Sequence, residues 1–83
     1  MLISKFETRF NDIQNSALSP GAKRAALGIL SKAIKNAQGK YDGDGSPFDN
    51  LRNRVETEIA KYPTPSFDDL VSLFWYLEEK EKV

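Results

Sequence analysis

Three short marks divide this chain. Ser19-Pro20, Ser46-Pro47 and Pro63-Thr64-Pro65-Ser66 each stand directly before a stretch with helical periodicity. A serine side chain accepts a hydrogen bond from a free N–H of the first helical turn, and proline fits that turn because its missing N–H costs nothing there. With Met1 as a start, the marks cut 83 residues into four amphipathic segments.

Leu2, Phe6, Phe10, Ile13 and Ala17 recur at steps of three and four, which predicts a helix over about 2–16. Ala26, Leu27, Leu30, Ala33, Ile34 and Ala37 form a second stripe from Pro20 onward, with Gly39 as its left-handed stop. Gly28 costs this helix about 1 kcal/mol relative to alanine, so a packing contact is expected there. The polar, glycine-rich run from Lys40 to Gly45 reads as a loop. Ser46 and Asp49 then open a third helix with Phe48, Leu51, Val55, Ile59 and Tyr62 on one side, ended by Pro63 and Pro65. Ser66 and Asp69 repeat the start signal. Phe67, Leu70, Phe74 and Leu77, broadened by Val71 and Leu73, form the fourth stripe, with Asp68 and Asp69 at its positive end and Lys80 and Lys82 at its negative end.

Short connections impose antiparallel neighbours, so the expected fold is all-α, one domain over 1–83, an antiparallel up-down four-helix bundle. Its expected core is Phe6, Phe10, Ile13, Leu27, Leu30, Ile34, Leu51, Val55, Ile59, Leu70, Phe74 and Leu77. The absence of cysteine removes disulfides and thiolate metal sites and suits a reducing, cytoplasmic setting. No apolar run is long enough to span a membrane, and Met1–Phe10 alternates apolar with charged residues, unlike the apolar core of a signal peptide.

Net charge is zero but unevenly placed. Residues 1–41 carry seven basic and two acidic side chains, a net +5, whereas 42–83 carry five and ten, a net −5. Two oppositely charged hairpins attracting each other would account for this, as would a basic surface for an anionic partner.

The residues that carry chemistry are sparse. Histidine, the usual base near neutral pH, is absent. Glu56/Glu58 are two apart and do not face each other on a helix, and Asp68/Asp69 serve the helix start. No enzyme and no cofactor are therefore expected. Asp42-Gly43-Asp44-Gly45 resembles a calcium loop only in part. Counting from Asp42 puts Pro47 at the sixth position and Asn53 at the twelfth, and counting from Lys40 puts a cation first and Leu51 last. Both registers fail. Lys23, Arg24, Lys32 and Lys35 line one side of the second helix, a strip that could meet phosphate, an anionic lipid headgroup at a membrane surface or an acidic protein, although nothing there reads base edges and nucleic acid is not the expected partner. Trp75 and Tyr76 cannot both face the core, and rings of this kind favour partner surfaces.

The run Ser46-Pro47-Phe48, with Leu51, Arg52, Arg54, Glu56 and Ile59 after it and a Ser66-led last helix, resembles the small immunity proteins of the enterocin A/pediocin-like (class IIa) bacteriocin group. Residues 3–38 match more loosely, and the likeness spans roughly 3–80. The resemblance implies a non-enzymatic cytosolic four-helix bundle, without cofactor or small-molecule substrate. Such a protein shields a producing cell at the inner membrane face by binding the bacteriocin together with its mannose phosphotransferase receptor. It further implies that specificity lies in the C-terminal half, here Arg52, Arg54, Trp75, Tyr76, Glu78, Lys80 and Lys82. Two other classes fit the same residues: a phage- or plasmid-encoded inhibitor of a host protein, and a nucleic-acid accessory factor acting through the second-helix strip.

Overall fold

The computed structural model describes residues 2–40 and 46–81, in four helices: α1 (Leu2–Gln14), α2 (Pro20–Lys40), α3 (Ser46–Ile59) and α4 (Phe67–Glu81). Asp42 and Asp44 lie outside the described residues, as do Tyr41 and Lys82. Among the described residues there is no strand, and the fold is an all-α four-helix bundle.

The starts are local chemistry. Ser19 Oγ accepts from Ala22 N at 3.4 Å, with Pro20 as the first helical residue of α2. Ser66 Oγ accepts from Asp69 N at 3.2 Å while Ser66 N donates to Asp69 Oδ2 at 2.9 Å, a reciprocal cap that opens α4. Helix α1 stops at Gln14, two residues before the expected end, because Ser16 Oγ donates to Ile13 O at 2.6 Å and accepts from Leu18 N, closing a side-chain turn. At the other end α2 runs through Gly39 to Lys40. No described glycine has a positive φ, so Gly39 is an ordinary helical residue and not the left-handed stop.

Helix α2 is the central column. It packs against α1, α3 and α4, and α1 also touches α3, whereas α4 comes into close backbone contact with α2 alone. Its buried Ala22, Ala26, Leu27, Leu30 and Ile34 meet Phe10 and Ile13 of α1, Leu51 and Val55 of α3, and Leu73 of α4. Leu27, Ile34 and Val55 are fully enclosed, each contributing about 1.5–3 kcal/mol through removal from water. Phe6, Ile59 and Leu77 are half-buried at the edge of this cluster.

Two expected core residues are not in it. Leu70 and Phe74 are 47% and 64% exposed, and Leu73 at 4% takes the inward position instead. The cause is the rotational setting of α4. Asp69 is drawn onto α2 by Ser19, whose Oγ donates to Asp69 Oδ1 at 2.5 Å. On a helix, residues four, seven and eight further on share that side, which brings in Leu73, Tyr76 and Leu77 and turns Leu70 and Phe74 away.

The glycine that matters is Gly21. A Cβ there would stand 2.7 Å from Asp69 Cγ and 3.1 Å from Pro65 Cα, and it would meet Asp69 Oδ2 closer still. At Gly28 a Cβ would meet nothing within 4 Å, so the expected packing contact does not exist.

Four substitutions test this arrangement by chemical denaturation. Leu30→Ala should cost about 2–5 kcal/mol, and Phe74→Ala no more than about 0.5 kcal/mol. Gly21→Ala should destabilise by about 1–3 kcal/mol because Asp69 and the Pro65 backbone must give way. Gly28→Ala should stabilise by up to about 1 kcal/mol. A neutral Gly21→Ala would show that α4 does not sit on α2 in this way, and a destabilising Gly28→Ala would show a close neighbour at Gly28 that the structure lacks.

Candidate functional site

Eight of the eleven residues from Phe67 to Leu77 are apolar or aromatic, too many for one buried stripe. Leu73, Tyr76 and Leu77 face the bundle. The remaining five form an outer row in which Phe67 is 79% exposed, Phe74 64%, Trp75 63%, Leu70 47% and Val71 38%. Phe74 and Trp75 meet edge to face, with centroids 6.3 Å apart at 77°, so the two rings brace each other on the surface. This row is the main candidate site. The sequence flagged Trp75 but assigned Leu70 and Phe74 to the core and placed Phe67 on the same stripe. The crowding of apolar residues in α4 was the signal that one stripe could not hold them all.

A second feature fixes how the row is presented. Asp69 accepts from Ser19 Oγ and from Ser66 N, so one carboxylate joins the first turns of α2 and α4, and both positive helix ends converge on it. The Ser19 hydroxyl foremost, then the Ser66 N–H, holds the Asp69 carboxyl below its ordinary value, against a smaller opposing effect of burial. Nearby, Arg24 Nη1 donates to Tyr62 O at 2.9 Å and ties the α3–α4 turn to α2.

The other sequence-derived candidates are scattered. Tyr76 is half-buried, its hydroxyl enclosed without a hydrogen-bond partner, and Lys80 Nζ lies 5.5 Å from its ring centroid. Glu78 is half-buried on α4 and Lys80 is exposed, while Lys82 lies outside the described residues. Arg54 of α3 stands over the Phe10 ring of α1 at 5.4 Å. Arg52 reaches Asp49 of its own helix at 3.7 Å, with Nε enclosed and unpartnered. Since α3 and α4 make no close backbone contact, Arg52 and Arg54 belong to the α1–α3 side and are not brought into one patch with Trp75 and Tyr76.

The basic strip on α2 is also broken up. Lys23 Nζ donates to Gln14 O at 3.0 Å and Arg24 is held by Tyr62, both half-buried, which leaves Lys32 and Lys35 exposed. An open cleft of about 310 Å³ runs between α1 and α2 towards Leu77. Ala26, Ile29, Leu30 and Ala33 line it together with Phe6, and Lys5 and Arg9 border it. It presents apolar surface without a polar group converging on one point. Among the described residues no helix is long and apolar enough to cross a membrane.

The class these features define is a four-helix bundle with one helix presenting an uncovered aromatic row. Scans against family models, curated proteins and solved structures find no match to this chain.

The depressed Asp69 pKa fixes the sign of a pH effect. Asp69 gives up its proton more readily folded than unfolded, so its contribution is complete above the ordinary carboxylate range and is lost as pH falls through the lowered folded value. Melting temperature should therefore fall on acidification, and Asp69→Asn should lower it near neutral pH while making the acid decline shallower. An unchanged acid profile in Asp69→Asn would dissociate Asp69 from α4 docking.

Proposed function

We propose that this protein is a non-enzymatic docking module whose contact surface is the outer row of α4, and that it serves as an immunity protein against a pediocin-like bacteriocin. The observation that carries the docking reading is the exposed row itself: five large apolar side chains on consecutive helical turns, two of them mutually braced aromatics. Aromatic residues of this kind bury much area at little entropic cost, and they dominate the energetics of partner surfaces. The immunity reading draws on the resemblance of the third and fourth helices and on the four-helix architecture.

In this reading the protein acts inside the cell. It docks on the bacteriocin held by its mannose phosphotransferase receptor at the inner membrane face and keeps the assembly from conducting, with no bond made or broken. Trp75 and Phe74 anchor the contact, with Phe67, Leu70 and Val71 extending it along the helix. Arg52 and Arg54 stand apart from this surface. Binding to free bacteriocin is weak, since the recognised object is the assembled complex.

Production of the protein in a sensitive Gram-positive cell should confer resistance to a cognate class IIa peptide. Trp75→Ala should weaken protection at least tenfold, the equivalent of about 1.4 kcal/mol of binding, with the melting temperature unchanged. Full sensitivity to every pediocin-like peptide tried, including one encoded beside this protein, would overturn the immunity reading and favour a host-protein inhibitor using the same row.

A further inference from the structure

Helices α1 and α4 both lie against α2 but make no close backbone contact with each other, so the bundle is open along that seam. The cleft of about 310 Å³ is this gap. Ala26, Ile29, Leu30 and Ala33 of α2 line it, with Phe6 from α1 and Leu77 from α4. Ala26 and Ala33 are seven residues apart, two turns along one side of α2, and their short side chains leave depth that larger ones would fill.

The charge at its border has one sign. Lys5 and Arg9 stand there, a helical turn apart on the same side of α1 and both exposed, and no acidic residue lines the cleft. Asp12 shares the outer side of α1 with them, but among the described residues none of the three takes part in an ion pair. Part of the net +5 of residues 1–41 is therefore left beside an apolar trough, where it favours an anion from outside the chain. A volume of about 310 Å³ is at the lower end for small-ligand sites, roughly 300–1,000 Å³, and suits one hydrocarbon chain better than the two of a bilayer lipid. On the α1 side the exposed residues Ser4, Lys5, Thr8 and Arg9 are polar, so that rim does not seat in hydrocarbon.

We infer that the cleft binds a single-chain fatty carboxylate, free in water and not part of a bilayer. Its hydrocarbon chain lies along Ala26, Leu30 and Ala33, and its carboxylate is held by Lys5 and by the paired donors of Arg9. A bound chain touches α1, α2 and Leu77 of α4 together, so it links two helices that do not otherwise meet and stabilises the folded state. The site is separate from the outer row of α4 and does not rest on the docking reading.

Calorimetric titration of the full chain at neutral pH with octanoate, decanoate and dodecanoate, each below its micelle concentration, tests it. Affinity should rise about two- to fourfold for each added CH₂. Dodecanoate should raise the melting temperature, and dodecyltrimethylammonium, with the same chain and a cationic head, should bind more weakly. Lys5→Gln combined with Arg9→Gln should lower dodecanoate affinity about three- to tenfold and remove the preference between heads. Ile29→Glu, at a side chain 54% exposed, should abolish binding with unchanged circular dichroism. Ala33→Leu, which fills the cleft, provides the same test if Ile29→Glu fails to fold. A flat chain-length series, equal affinity for the two heads, or binding that survives both Ile29→Glu and Ala33→Leu overturns the proposal. Binding lost in Phe74→Glu would place the chain on the outer row of α4 and overturn it too. So would co-sedimentation with phosphatidylglycerol vesicles that Lys5→Gln with Arg9→Gln abolishes, because the occupant would then be a membrane surface. None of these results decides the protection assay, which reads the outer row alone.

Discussion

Helix α2 must serve three neighbours at once. A single helix of 21 residues packs against α1, α3 and α4, and its buried residues from Ala22 to Ala37 form one broad face that the three neighbours share. Only a helix rich in small residues can be approached from three sides. Ala22 and Ala26 are almost fully enclosed, and Gly21 gives passage to Asp69 and the Pro65 backbone. Leu27, Leu30 and Ile34 supply the bulk that α1 and α3 close over. In so short a chain, where surface is large relative to volume, concentrating burial on one central element is what leaves a core at all.

The attachment of α4 differs in kind from that of α1 and α3. Those two touch each other as well as α2, which makes a mutually supporting group of three. Helix α4 comes into close backbone contact with α2 alone, and it lays Leu73 and the half-buried Tyr76 and Leu77 against the core cluster. Its position is specified at one end by the Ser19–Asp69–Ser66 hydrogen bonds and at the preceding turn by Arg24 on the Tyr62 carbonyl. Polar contacts of this sort contribute modestly to stability but strongly to geometry, since each works only over a narrow range of distance and direction. They turn Asp69 inward, and the outer row follows from that rotation.

Among the described residues the opposite charges of the two halves are not expressed as ion pairs across the bundle. The ion pairs among the described residues, Asp49–Arg52 and Glu58–Lys61, both lie within the acidic half. What crosses between halves is a set of hydrogen bonds: Ser19 to Asp69, Gln38 to Asp49 at 2.6 Å, Ser31 to Glu56 at 3.4 Å, and Arg24 to a backbone carbonyl. Neutral donors meet carboxylates, and the cations Lys23 and Arg24 meet carbonyls. Complementary net charge favours the approach of the halves, while register is set by short directional contacts.

The sequence by itself determined the number of helices, their starts at Ser19-Pro20 and Ser66, and the inward stripe of α2 and α3 from Leu27 to Val55. Those features depend on residues within a turn or two of each other, where capping and periodicity act directly. It also showed that Trp75 and Tyr76 could not both face the core. The tertiary structure alone decided which side of α4 faces inward, because that choice hangs on Ser19 and Asp69, which are 50 residues apart. Eight apolar residues in α4 left several rotations equally plausible by pattern, and one hydrogen bond from another helix selected among them. The docking of α4 on α2 also made Gly21, and not Gly28, the glycine of close approach, and the lack of close backbone contact between α3 and α4 left Arg52 and Arg54 away from Trp75. Helical periodicity fixes what a segment can bury, but the neighbour it meets fixes what remains outside.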